Sequence, residues 1–263
     1  MIWVGTSGWQ YRDWRGGVFY PERLPQRRWL EFYSRRFPTV EVNNTFYSLP
    51  QESTFEKWRD ETPQGFVVTV KASRYITHIR RLRDAGESVD LFRSRARLLG
   101  DKLGPVLFQL PPKFRADVEL LTGFLALLPE GIRPAFEFRD ASWESSDVYR
   151  ALDAAGAAWV MPDRPGWRVP DVVTGGWSYV RFHQGGHGPL GSDYARDKLR
   201  RWAERVAAIP ADDVWVYFNN DLGGAAVRDA EAFTELVEAN GRTVARPQTS
   251  VGDSSDQGAL GAG

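Results

Sequence analysis

Several residues that can do chemistry recur in this chain with the same spacing. Glu41 and Asn43, Thr69 and Lys71, Glu137 and Arg139, Arg181 and His183, and Tyr217 and Asn219 are each two positions apart, and Gln109 closes a further apolar run. Residues two apart on a β-strand share a face, so each pair would project to one side. Glu41 and Glu137 are candidates for an acid–base pair, provided their surroundings push their pKa values apart. His183 is the strongest general acid–base candidate, because imidazole titrates near neutrality. Lys71, Arg139 and Arg181 would hold a carboxylate or phosphate, with each arginine presenting a planar fork. Asn43, Gln109 and Asn219 would orient polar groups of a ligand. For each residue the competing explanation is structural. The cations would then merely neutralise Glu41 and Glu137.

The elements that must position these residues alternate along the chain. Strand-like runs cover residues 2–4, 39–42, 66–70, 105–110, 134–138, 158–161, 178–182 and 214–218. Helical patterns lie between them at 27–37, 88–103, 117–128, 145–156, 192–209 and 226–241, with Ser88 and Ser192 as expected N-caps. Gly156 and Gly241 stand where a helix end favours a left-handed residue. A unit of about 30 residues suits βαβ repetition. Eight such units predict an α/β fold of the TIM-type (β/α)8 class, regular or irregular. The turn after the first run, GTSGW, lacks the G-x-G-x-x-G spacing of a dinucleotide-binding sheet. In a barrel the C-terminal strand ends meet at one mouth, so the paired residues converge there.

Composition sets further bounds. The chain has 263 residues, 42% of them hydrophobic and 26% charged, as in an ordinary soluble domain. One domain is expected over residues 1–245, and the small, polar, glycine-rich segment 246–263 is expected to be disordered. Formal net charge is zero, so whole-chain electrostatics gives no pull toward nucleic acid or an anionic membrane surface. The absence of cysteine excludes disulfides, thiolate nucleophiles and cysteine-held metals. No run approaches a membrane span and no signal-peptide pattern opens the chain, so no membrane partner and a cytoplasmic location are expected. Three histidines without metal-ligand spacing give no assigned metal, and no cofactor is called for. Glu41, Glu137 and His183 are the residues a metal would have to use. Ser7 in GTSGW has no local histidine partner. The carboxylate beside Lys71 on the next strand, Glu41, is expected to hold that lysine charged and so disfavour a Schiff base. Strands two and five lie well apart, so the close carboxylates of a retaining glycosidase are not expected. Aromatic residues around these motifs, including Trp9, Tyr11, Phe46 and Tyr47, would suit stacking on a sugar or base.

The segments GTSGWQYRDWRGGVFYP (5–21), EVNNTFYSLP (41–50), KASRYITH (71–78), LFQLPPKF (107–114), FEFRDASW (136–143), VRFHQGG (180–186) and YFNND (217–221) together resemble the DUF72, or YecE-like, family. The resemblance extends to about residue 240 and implies a TIM barrel; it implies no particular activity. After Arg181-Phe182 this chain reads HQGGHG where the family often has His-Gly, so no role passes to His187. The residues themselves suggest an enzyme acting on a small anionic polar compound, sugar-phosphate or nucleotide-like, by acid–base chemistry. Hydrolase, lyase and isomerase reactions all suit the inventory. A nucleic-acid-binding or endonuclease-like barrel and a non-catalytic ligand-binding protein are the alternatives. The oligomeric state is left open.

Overall fold

A computed structural model describes residues 1–167 and 169–248. Eight parallel strands close into a barrel in chain order. They are β1 (Ile2–Thr6), β2 (Thr39–Val42), β3 (Val67–Lys71), β4 (Leu103–Gln109), β5 (Pro134–Glu137), β6 (Ala158–Asp163), β7 (Ser178–Phe182) and β8 (Val214–Phe218). Strand β8 pairs back onto β1 from Ile2–Val214 to Thr6–Phe218. The helices around them are α1 (Trp29–Ser34), α2 (Asn44–Tyr47), α3 (Glu52–Asp60), α4 (Gly86–Ala96), α5 (Val118–Leu127), α6 (Ser146–Ala154), α7 (Arg196–Ala207) and α8 (Ala225–Ala239).

The alternation of side chains along each strand separates two cores. Outward residues such as Val40, Val42, Val68, Val70, Phe108 and Val216 are buried beneath the helices. Inward residues fill the barrel itself: Leu107, Ala135, Val160, Tyr179, Trp215 and Tyr217 form one cluster. At its base Trp3 and Trp215 stack with centroids 4.9 Å apart. Above them Tyr217 exchanges hydrogen bonds of 2.7 Å with both Thr39 and Thr69. Bulky rings at one end and hydroxyls in the middle leave the polar strand ends to close the other end. Gly5 is required where β1 meets β2, because a Cβ there would lie 2.2 Å from the Thr39 carbonyl oxygen.

The strands expected from sequence are all present. The helical expectations differ at their starts. Ser88 lies inside α4, whose N-cap is Ala85. Ser192 precedes α7, whose N-cap is Ala195, and its hydroxyl instead donates to the Asn220 carbonyl at 2.9 Å. At Ser192 a buried backbone acceptor, the Asn220 carbonyl, claimed the hydroxyl. Gly156 and Gly241 follow α6 and α8 with φ of 63° and 78°, as a helix end of this type demands. Helices α2 and α3 and the π-helical turn Tyr75–Ile79 had no counterpart in the periodic pattern. Most of the segment expected to be disordered lies outside the described residues; inside them, Arg246 pairs with Glu238. No described helix is long and apolar enough to cross a membrane.

Candidate functional site

The polar strand ends meet at one mouth, as the pairs two residues apart require. Register places Gln109 beside Glu137 and Arg181 beside Tyr217, while Glu41 sits beside Thr69 one turn of the pleat below Lys71. Their side chains form two layers that differ in how fully they are paired.

The inner layer is a closed ion cluster. Arg181 on β7 is 1% exposed, and Glu41 and Glu137 are both fully buried. Arg181 grips Glu41 through Nε at 3.0 Å and Nη2 at 2.7 Å, and donates its Nη1 to Glu137 Oε2. One guanidinium therefore spans the gap between strands two and five. Both carboxylates accept from other donors as well. Tyr179 donates to Glu41 Oε2 at 2.5 Å and Asn43 Nδ2 to Glu41 Oε1 at 3.2 Å. Glu137 Oε1 accepts from Gln109 at 2.9 Å and from Nε and Nη2 of Arg139 at 2.9 and 2.8 Å. Burial alone would raise both carboxyl pKa values. The charge and hydrogen bonds of Arg181 outweigh it, aided at Glu41 by Tyr179 and at Glu137 by His183 and Arg139. Glu41 is held below the ordinary value and Glu137 well below it. Glu41 and Glu137 are thus ionised at neutral pH, Glu41 with two donors on each oxygen and Glu137 with three on Oε1 and Arg181 on Oε2.

The outer layer is less complete. Lys71 is 8% exposed and donates to Gln109 Oε1 at 2.9 Å, with its ammonium 4.2 Å from the centre of the Phe46 ring. It forms no ion pair with Glu41. Glu41 and Glu137 favour the charged amine, as expected of a neighbouring carboxylate, but burial, reinforced by Arg181, outweighs them and lowers it to about 8, so Lys71 stays mostly charged at pH 7. Arg181 stands between the lysine and Glu41 in charge terms, having already claimed that carboxylate. His183, 13% exposed, places Nε2 3.4 Å from Glu137 Oε1, a long contact with that carboxylate. Burial pulls its pKa down, Glu137 opposes, and Arg181 adds to the lowering, so the ring is neutral at pH 7. Arg139 retains 26% side-chain exposure. His78 edges against Phe46 and is lowered to about 4 by burial and by Lys71, Arg139, Arg74 and Arg81. A histidine surrounded by that set of charges reports a positive potential on the β3–β5 side of the mouth.

All nine residues singled out from sequence reach this cluster: Glu41, Asn43, Lys71, Gln109, Glu137, Arg139, Arg181, His183 and Asn219, whose Oδ1 lies 3.5 Å from Asn43 Nδ2. Sequence reasoning named Ser7 but gave it no role, and assigned none to Tyr179, Arg164 or Asp221. Three of these follow from the same spacing rule carried further: Tyr179 precedes Arg181 by two, Arg164 follows the inward Pro162 by two, and Ser7 follows Gly5 by two. Arg164 has a buried Nη1 without a hydrogen-bond partner and is lowered by burial and by Arg139. Asp221, just past β8, is raised to about 7 by burial, with Glu41 and Asp13 contributing. No group of three or more histidine or acidic residues suited to a metal occurs among the described residues.

A closed parallel barrel with polar residues gathered at the C-terminal ends of its strands is a (β/α)8 protein with the site geometry of that class. The chain belongs to the family described as "Protein of unknown function DUF72", which matches residues 3–252. It is 30% identical to the UPF0759 protein YunF of Bacillus subtilis, over 90% of this chain and 95% of that protein. The crystal structure of a DUF72 family protein from Thermotoga maritima superposes with a TM-score of 0.80 at 30% identity, covering 90% of this chain and 99% of the other. A DUF72 family protein from Enterococcus faecalis has a TM-score of 0.76 at 20% identity, covering 90% and 96%, and shows the shared fold alone.

Proposed function

We propose that this DUF72 barrel is an enzyme that binds a small, polar, anionic substrate at its mouth and moves a proton there. The observation that carries the reading is that cations at the mouth outnumber the two buried glutamates. Lys71, Arg139, Arg164 and Arg181 are set against the two carboxylates Glu41 and Glu137. Buried charge of one sign is costly unless a counter-charge arrives, so this arrangement favours an anion from solution. Arg181 is 1% exposed and engages both buried glutamates, which leaves Lys71, Arg139 and Arg164 as the groups facing the ligand.

The proton-moving groups follow from the same accounting. Glu41 and Glu137 are fully buried and held by Arg181, so their part is to fix Arg181 and polarise their neighbours. His183 is held toward its neutral form with Nε2 turned to the Glu137 carboxylate, which leaves Nδ1 as the nitrogen suited to a general base. Lys71 titrates close enough to neutrality to give up a proton as an acid or to act as a nucleophile when neutral. Glu137, 3.4 Å from His183, would stabilise the imidazolium once it forms. Isomerisation, elimination and hydrolysis are all within reach of this pair.

The test is equilibrium binding of inorganic phosphate and of small phosphorylated and carboxylated compounds, followed by a turnover screen of those that bind. The expected result is binding weakened more than tenfold in Lys71→Met and Arg139→Met, and turnover lost in His183→Asn with binding retained. Anion affinity unchanged in both cation variants would remove the basis of the reading.

A second reading, a nucleic-acid-binding barrel, has one observation in its favour. Arg74, Arg80, Arg81 and Arg83 crowd the turn after β3, beside the exposed rings of Tyr47 and Tyr75. Exposed rings and cations together suit single-stranded bases and phosphates. Here oligonucleotide affinity should fall steeply with added salt. Retention that is flat from low to high salt would count against it.

A further inference from the structure

Next to Lys71 around the mouth, a cavity of about 160 Å³ opens between the ends of β1 and β2. Ser7, Gly8, Trp9, Tyr11, Asn43 and Asn44 line it. Two oxygens in this lining are buried and accept from no donor: Ser7 Oγ, on a residue with no exposed surface, and Asn43 Oδ1. Both are consequences of the ion cluster. The Asn43 amide must turn its Nδ2 toward Glu41, because only the nitrogen can donate to a carboxylate, and this leaves the oxygen without a donor. The Ser7 hydroxyl turns toward Glu41 and helps hold that carboxylate ionised, while its oxygen accepts from no donor. A buried acceptor without a donor costs roughly 1–3 kcal/mol, so two beside one cavity call for a partner that enters it.

The chemistry of that partner is constrained. Asn43 Oδ1 needs a donor, and so does Ser7 Oγ while its proton faces Glu41. Glu41 and Asp221 border this side, and Asp13 adds to the negative field at Asp221. An anion is therefore repelled here, whereas neutral hydroxyls are accepted. Half-buried Tyr11, with the edge of the buried Trp9 beside it, supplies apolar surface against which a sugar's carbon face can rest. The wall is built with care at one point: Gly8 has φ of 106°, and a Cβ there would lie 2.8 Å from the Tyr11 hydroxyl. That close approach lets Tyr11 donate to the Ser7 carbonyl at 2.6 Å and fix the wall.

The cavity and Lys71 are within one small molecule of each other. Val42 pairs with Val70, so the next positions along, Asn43 and Lys71, end neighbouring strands. Neighbouring strands are about 4.8 Å apart. We propose that the cavity at Ser7 and Asn43 is a subsite for the uncharged hydroxyl-bearing part of the substrate, so that the whole mouth takes a phosphorylated polyol of sugar size. The phosphate lies against Lys71 and Arg139, and the hydroxyls reach Asn43 Oδ1 and Ser7 Oγ. This rests on the anion-binding reading above.

The experiment compares inorganic phosphate, a panel of polyols (glycerol, ribose and glucose) and their monophosphates, by calorimetric titration of the full chain. At least one sugar phosphate is expected to bind tenfold or more tightly than phosphate. Ser7→Ala should reduce that ratio roughly fivefold, the worth of one hydrogen bond. Asn43→Ala, at a half-buried position, is the second variant should Ser7→Ala fail to fold, with thermal unfolding as the check on both. Equal affinity for phosphate and every sugar phosphate, or a ratio that neither variant changes, overturns the subsite. Polyol binding that depends on Ser7 in a protein that ignores phosphate would keep the subsite and overturn the anion site instead. Binding of none of the panel overturns both.

Discussion

Arg181 and Arg139 end neighbouring parts of the same mouth and share a carboxylate, yet they are in different physical situations. Arg181 uses Nε, Nη1 and Nη2 on two fully buried glutamates and has 1% exposure. Arg139 leans on one oxygen of Glu137 and keeps 26% of its side chain in solvent. The same contrast runs through the site: Glu41 and Glu137 have donors on both oxygens, while Lys71, Arg164 and His183 are under-paired. Charge and burial do not separate structure from function here, because both layers are charged and largely buried. The degree of pairing does. A fully satisfied ion cluster fixes geometry, and an incomplete one leaves interactions for a ligand to complete.

Variants that break the inner layer should have the largest effect. Arg181→Met leaves two buried carboxylates uncompensated, and is expected to cost about 3–5 kcal/mol of stability in urea unfolding, or to prevent folding altogether. Adding Glu41→Gln and Glu137→Gln to it should recover much of that loss. Failure of the triple variant to recover would mean that the cluster's geometry, not its charge balance, supports the barrel.

Acid comes next. Both glutamates have folded pKa values depressed below their unfolded ones. Their contribution is fully present above the ordinary carboxylate value, about 4.3, and is lost as pH falls below it toward the folded values. Unfolding free energy measured from pH 6 down to pH 3 should therefore drop, with a shallower slope in Glu137→Gln. Equal slopes would show that Glu137 is not held ionised.

The outer layer should respond in the opposite sense. Lys71 has its folded pKa lowered to about 8, so the unfolded chain binds more protons between there and the ordinary lysine value of about 10.4. Stability should rise with pH across that window, and Lys71→Met should abolish the rise while matching or exceeding wild-type stability at pH 7. The same variant should lose anion binding. A marked destabilisation would place Lys71 with the inner layer. The smallest effect on stability is expected for His183→Asn, within about 1 kcal/mol, since the ring makes only a long contact with Glu137 from Nε2. Its cost should appear in turnover.

The architecture and the convergence of polar strand ends were legible because a single rule, the two-residue repeat of a strand, governs both. The same rule would have placed Ser7, Tyr179 and Arg164 at the mouth had it been extended past Gly5, Arg181 and Pro162. What could not be read was which charge takes which partner. Glu41 favours the charged Lys71, as its place on the next strand implied, but its ion pair depends on Arg181 arriving from a strand more than a hundred residues later, as the 140-residue separation of the Arg181–Glu41 bond shows. The helix start at α7 was misplaced for a related reason, since Ser192 is drawn to Asn220 by tertiary packing. The short helix α2 carries Phe46 onto Lys71, and no periodic pattern announces four residues.

The central claim is that the under-paired cations of the outer layer form an anion site. Anomalous diffraction from crystals grown with a heavy oxyanion such as tungstate tests it most directly. A peak within hydrogen-bond reach, about 3 Å, of Lys71 Nζ and the Arg139 guanidinium is the predicted result. Peaks confined to the outer surface, with the mouth empty at saturating oxyanion, would contradict it.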